Sequence, residues 1–141
     1  MAGPLVLLDT HVVVTGLRSR NGAAFRVLSL VGAGRFDICL SVPVVLEYEA
    51  ILSDQSEHLH LTTTDVGDLL DYFCSVAKQQ DIHYLWRPYL KDPKDDLILE
   101  AAVAGRCEAI ITYNRRDFRG SEKFGVRILA PGGFLRRIGE L

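Results

Sequence analysis

The stretch Leu5 to Thr15, LVLLDTHVVVT, constrains this chain more than any other. An apolar run meets a single aspartate, Asp9, and apolar residues resume after Thr10 and His11. With Pro4 before it and Gly16 after it, a run this short reads as a buried strand rather than a helix. A carboxylate at the end of a buried strand is costly unless a cation or a metal ion pairs with it. Which kind of partner Asp9 finds depends on where the other acids fall.

A chain of 141 residues fits one domain and is long enough to bury a core without disulfides or metal staples. An apolar content of 48% and a mean hydropathy of +0.14 argue against disorder. The net charge of -2 excludes a strongly basic nucleic-acid binder but leaves local basic patches open. Cys39, Cys74 and Cys107 form no Cys-x-x-Cys and each sits beside apolar residues, so buried thiols in a reducing cytosol are expected. There is no basic start followed by a long apolar region and no apolar run of about eighteen residues. The expectation is a soluble cytoplasmic protein with no signal peptide and no membrane span.

Past the first strand, TGLRSRNGAA reads as a loop. Ala23 to Val31 has helical spacing and ends at Gly32 and Gly34. Phe36 to Ser41 is a second strand, and Ser41 then caps a helix over VPVVLEYEAILS that carries Glu47 in its second turn. Residues 53 to 63 are a polar loop holding His58 and His60. Thr64 is expected to cap an amphipathic helix from Asp65 to Ala77. Ile82 to Trp86 is a third strand, followed by the charged loop RPYLKDPKDD. Leu97 to Ala104 is a helix entered through Asp95 and Asp96 and ended by Gly105. Ala109 to Thr112 and Val126 to Ala130 are the last strands, with the loop YNRRDFRGSEKFG between them and a short helix in PGGFLRRIGEL after them. Strands alternating with helices predict right-handed βαβ units, hence a parallel sheet with helices on both faces.

In such a sheet, sites form beyond the carboxyl ends of the strands. Asp9 ends the first strand, Asn114 and Asp117 follow the fourth, and Asp95 and Asp96 start a helix on that same edge. Glu47 lies about a turn and a half into the helix after the second strand. Four acidic groups therefore reach one rim. Carboxylates without matching lysines or arginines repel one another, and a hard divalent cation relieves this. Magnesium takes one or two carboxylates, keeps several waters and leaves room for a substrate phosphate. It lowers the pKa of a bound water and stabilises a leaving oxygen. No histidine or cysteine set competes, so zinc is not expected. Taken singly, Asp95 and Asp96 are equally explained as first-turn acids favoured by the helix dipole. Glu47 alone could be a helix-face residue and Asp117 a turn residue. The convergence carries the reading.

The pieces LLDTHVVVTGL, LSVPVVLEYEAIL, DPKDDLILEAAVAG, AIITYNRRDF and VRILAPGGFL, in this order, resemble the PIN-domain ribonucleases. The likeness is to the small prokaryotic subfamily regarded as toxins of toxin–antitoxin systems. It spans nearly the whole chain. It implies a single PIN domain over residues 1–141, an α/β fold with three α/β/α layers around a central parallel sheet, and a Mg2+- or Mn2+-dependent endoribonuclease. Carried over by position, Asp9, Glu47, Asp95 and Asp117 are the four metal-binding, catalytic acids. Asp95 is preferred to Asp96 because the second acid of that pair varies in the family, and Asn114 is a helper to Asp117. Thr10, Ser41, Thr112 and Asp96 are candidates to orient the carboxylates. Capping or strand-end hydrogen bonding explains the hydroxyl groups equally well. The family's usual Asp-Thr-Asn is Asp-Thr-His here, with His11 in the third place. The resemblance also implies an RNA substrate, a small antitoxin partner and a homodimer. The alternative function is a catalytically weak PIN-fold module that binds RNA or a protein, with His11 as the sign of a relaxed site.

Arg18, Arg115 and Arg116 are expected near the rim, where they would grip an RNA backbone. Arg136 and Arg137 read as solvated surface, and Tyr84, Trp86 and Tyr89 as packing residues rather than base-stacking ones. A phospho-receiver would need an Asp ending the third strand, and a haloacid-type phosphatase would need Asp-x-Asp-x-Thr where this chain has DTHVV. No glycine-rich nucleotide-gripping loop is present.

Overall fold

The computed structural model of the protein describes residues 3–82 and 89–140. Its strands are β1 (Leu5–Leu8), β2 (Asp37–Leu40), β3 (Lys78–Gln79), β4 (Ala109–Ile111) and β5 (Arg127–Leu129). They form one all-parallel sheet in the order β3-β2-β1-β4-β5. Its helices are α1 (Thr10–Arg18), α2 (Ala23–Ser29), α3 (Val42–Asp54), α4 (Ser56–Leu59), α5 (Thr63–Val76), α6 (Pro93–Ala104) and α7 (Pro131–Arg137). This is the expected α/β/α arrangement.

Register sorts the core into two faces. Val6 aligns with Ile38 and Ala109. Side chains alternate along a strand, so Leu7 and Cys39 point the other way. Cys39 meets the Ala101 carbonyl of α6, which places α6 on that second face. Phe36, just before β2, packs edge-to-face on Phe134 of α7, with ring centroids 5.0 Å apart. α7 also packs on α2, and α2 on α1. Cys39 and Cys107 are buried free thiols, whereas Cys74 is a free thiol that is only partly buried. No helix among the described residues is long and apolar enough to cross a membrane.

The opening stretch is half strand and half helix. β1 stops at Leu8, and Thr10–Arg18 coil into α1 where a strand and then a loop were expected. Three successive valines lean toward a strand by propensity, because β-branching restricts their rotamers in a helix. Here Val12, Val13 and Val14 are all buried, and packing overrides that lean. Gly16 makes the packing possible. A Cβ there would stand 2.5 Å from Leu28 Cδ1 and 3.0 Å from the Ala24 carbonyl oxygen, so α1 and α2 meet at close range.

The third strand is also not where it was expected. β3 is the pair Lys78–Gln79, aligned with Cys39 and Leu40. Ile82 lies outside any strand, and residues 83–86 of the expected span, Tyr84 and Trp86 among them, lie outside the described residues. β3 is a polar, exposed edge strand, so no apolar run announces it. The polar segment after α3 forms the short helix α4. α5 is capped by Thr62 rather than Thr64, through a capping box with Asp65 in which both reciprocal bonds form. α6 begins at Pro93, earlier than expected, because the Asp92 side chain accepts from the Lys94 N–H at 2.9 Å and Pro93 fills the first helical position. Ser41 caps α3 as expected, accepting from the Val44 N–H at 3.3 Å.

The α1–α2 contact makes a direct prediction. Gly16→Val should lower unfolding stability by about 1–3 kcal/mol, the usual cost of overpacking. Urea denaturation reads it. An unchanged midpoint would mean that α1 and α2 do not meet so closely.

Candidate active site

The chain runs from β1 to β2 to β3 in one direction and then crosses back to β4 on the other side of β1. The β1–β4 boundary is thus the switch point of the sheet, where connections leave in opposite directions and a crevice opens. Asp9 and Thr112 stand on either side of it. The Asp9 N–H bonds to the Ile111 carbonyl at 2.9 Å, extending the β1–β4 ladder by one step. The Thr112 hydroxyl donates to Asp9 Oδ2 at 2.7 Å. Asn114 joins through its backbone N–H, which donates to the Thr112 hydroxyl oxygen at 2.9 Å.

Asp9 is only 4% exposed. Burial pushes its carboxyl above the ordinary range, while the Thr112 hydroxyl, nearby His11 and the backbone at Thr10 pull it down. Asp95 is pushed up to about 7, first by burial and then by the charges of Asp9, Asp92, Asp117 and Asp96. Asp117 also acts on Asp9. Glu47 is half-buried on α3 and lines a cavity of about 170 Å³ with Asp9, Thr10, His11, Asp92 and Asp95. Its neighbour Tyr48 donates its hydroxyl to the Leu8 carbonyl, which fixes α3 against the end of β1. Asp9, Glu47 and Asp95 share this cavity, and Asp117 lines an adjoining one with Asp95. Among the described residues none of them forms an ion pair with a lysine or arginine.

Asp95 and Asp96 part company on α6, because consecutive helical residues point about 100° apart. Asp95 faces the crevice. Asp96 is buried and accepts from the Leu90 N–H at 2.9 Å and the Tyr89 N–H at 3.4 Å, so it holds the approach to α6. Tyr89 packs edge-to-face on Phe124, with ring centroids 5.2 Å apart.

Of the basic residues, Arg116 lines a second cavity of about 420 Å³ beside Asp95 and Asp117, together with Arg119 and Lys91. Arg115 is exposed on the same 3-10 turn. Arg18 is not on this rim, which corrects the expectation for it. It ends α1, eight residues and so roughly 12 Å of helix away from Thr10, because the segment thought to be a loop at the rim is a helix leading off it. Asp92 and Lys94 were missed, although both line the cavity of Asp9 and Glu47. The Asp-Pro pair of DPKDD was the available signal for Asp92, since it is the usual opening of a helix.

The donor chemistry fits a hard divalent cation. It offers oxygen ligands, a mutual repulsion that raises Asp95, and no paired cation. Among the described residues no three His, Cys, Asp or Glu side chains stand close enough together to hold a metal ion as a set. An ion such as Mg2+, which uses one or two carboxylates and completes its shell with water, suits an open site of this kind.

A parallel sheet with helices on both faces and an acidic crevice at its switch point defines an α/β/α protein. Residues 5–116 match the family model of the PIN domain, and the chain belongs to that family. Among solved structures, a chain in the crystal structure of VapBC2 from Rickettsia felis bound to a DNA fragment from their promoter is similar. Its TM-score is 0.59 and its identity 17%, over 88% of this chain and 98% of that one, a likeness of fold. Comparison with curated proteins gives no match.

The raised Asp95 sets a pH dependence. In the unfolded chain it ionises near 3.8, in the folded protein near 7. Between these values the folded state holds the extra proton, so this group's contribution to stability falls as pH rises from about 4 to about 7 and is level above. Without metal, Asp95→Asn should raise the melting temperature more at pH 8 than at pH 4. Equal effects at both would contradict the shift.

Proposed function

We propose that this chain is a metal-dependent endoribonuclease that hydrolyses RNA phosphodiester bonds, and the toxin of a toxin–antitoxin pair. PIN domains are nucleases as a class, and membership in that family supports the hydrolase reading. The likeness to a VapBC2 chain supports a small antitoxin protein as partner. The observation that carries the proposal is geometric: Asp9, Glu47 and Asp95 line one cavity, and Asp117 lines the adjoining one with Asp95.

In this reading Asp9, Glu47, Asp95 and Asp117 hold Mg2+ or Mn2+. When bound, the cation supplies charge neutralisation and Lewis acidity toward a phosphate. The chain's other residues prepare the site. Thr112 fixes one oxygen of Asp9 and is itself held by the Asn114 backbone. Thr10 opens α1 beside Asp9, Ser41 sets the start of the helix that presents Glu47, and Asp96 steadies the loop in front of Asp95. Arg116 and Arg119, with Lys91, flank the acids and would hold phosphates on either side of the scissile bond, with Arg115 at the margin. His11 lines the cavity in the place of the family's usual Asn. A homodimer belongs to the same proposal.

Cleavage of a labelled single-stranded RNA tests this. Activity should require Mn2+ or Mg2+ and vanish in EDTA. Asp9→Asn and Asp95→Asn should each lose roughly a hundredfold or more, the scale of losing a preorganised electrostatic group. Equal cleavage by the variants would refute the assignment. No cleavage together with no Mn2+ binding would favour an RNA- or protein-binding module.

A further inference from the structure

The opposite edge of the sheet carries a third cavity, of about 290 Å³, where β1, β4 and β5 begin. Its floor includes the buried Val6, Ala109 and Phe134. Arg35, Arg127 and Arg137 also line it, and Glu108 is its one acid. With Arg35 neutralised by Glu140, Arg127 and Arg137 against Glu108 leave a local charge of +1 in a chain whose net charge is -2. Among the described residues this excess has no ion-pair partner. Arg35 is already committed, because it pairs with Glu140 and donates to the Ile138 carbonyl at 2.5 Å. Arg26 holds the other oxygen of Glu140 at 2.7 Å. Arg127 and Arg137 have neither an ion pair nor a side-chain hydrogen bond among the described residues.

Two free guanidiniums beside a buried apolar floor match one kind of ligand. Guanidinium forks pair two donors with two oxygens of a phosphate or carboxylate. A phosphate monoester carries about -1.5 to -2 at pH 7, which balances both arginines. The volume lies near the lower end of the range for ligand pockets, enough for one ring-sized body and one anionic group.

We propose that this cavity is a binding site for a small phosphate monoester, its phosphate held by Arg127 and Arg137 and its apolar or aromatic body seated on Val6, Ala109 and Phe134. The site lies roughly 10 Å along β1 from Asp9, at about 3.3 Å per residue, and does not rest on the nuclease reading.

The test is calorimetric titration of the full chain with phenyl phosphate in EDTA, so that no metal recruits phosphate to the acidic rim. Inorganic phosphate and phenol serve as half-ligands. Phenyl phosphate should bind, and should raise the melting temperature by linkage. Inorganic phosphate should bind at least tenfold more weakly and phenol more weakly still. Arg127→Gln and Arg137→Gln should each weaken phenyl phosphate at least tenfold. Both side chains are exposed, so the variants should keep the unliganded melting temperature. Three results would overturn the proposal. These are no binding at millimolar phenyl phosphate, unchanged affinity in the double variant, or equal affinity for phenyl and inorganic phosphate.

Discussion

The burial of Asp9 is the constraint on which this structure turns. A carboxylate at the end of the central strand is nearly removed from water, and burial pushes its pKa up. The chain counters with one short hydrogen bond from the Thr112 hydroxyl across the β1–β4 boundary. That bond also ties together the two strands between which the sheet's connections diverge. Asp9 is therefore held where a crevice must open, and the acids of α3, α6 and the turn after β4 are brought against it by the topology. The same burial acts on Asp95, whose carboxyl is pushed up to about 7, first by burial and then by the charges of Asp9, Asp92, Asp117 and Asp96.

Much of this was legible in the sequence, for a physical reason. β1, β2, β4 and the first turns of α3 are marked by apolar runs and by a capping serine, which are local signals. The acids at 9, 47, 95 and 117 follow from strand ends and helix starts. What was not legible depends on packing. Val12 to Val14 form a helix only because all three are buried against the core, and a single stretch of sequence does not contain that fact. The misreading of α1 carried Arg18 to the wrong place, since a loop would have left it at the rim where a helix leads away. β3 is too short and too polar to signal itself.

The pair Asp95–Asp96 shows the limit most clearly. In the sequence the two are adjacent acids in a first helical turn, with the same chemistry. On α6 they point about 100° apart. Asp95 faces Asp9 and Asp117 with its charge unrelieved, whereas Asp96 is buried beneath the backbone of Tyr89 and Leu90 and bonded to it. Asp92 completes the contrast. It was passed over as a loop residue, yet its side chain caps the start of α6 and lines the cavity of Asp9 and Asp95.

The sheet has two chemically opposite ends. At the carboxyl edge, acids gather, and among the described residues none is ion-paired to the lysines and arginines that line the same cavities. At the amino edge, arginines gather over an apolar floor with one acid among them. The central claim concerns the first end, that its carboxylates repel one another until a divalent ion joins them. Its most direct test is a carbon-13 NMR titration of the Asp95 carboxyl with and without Mg2+. The account predicts a midpoint of about 7 in the metal-free protein, moving down as Mg2+ is added. A midpoint near the ordinary 3.8, or one that Mg2+ leaves in place, would contradict it.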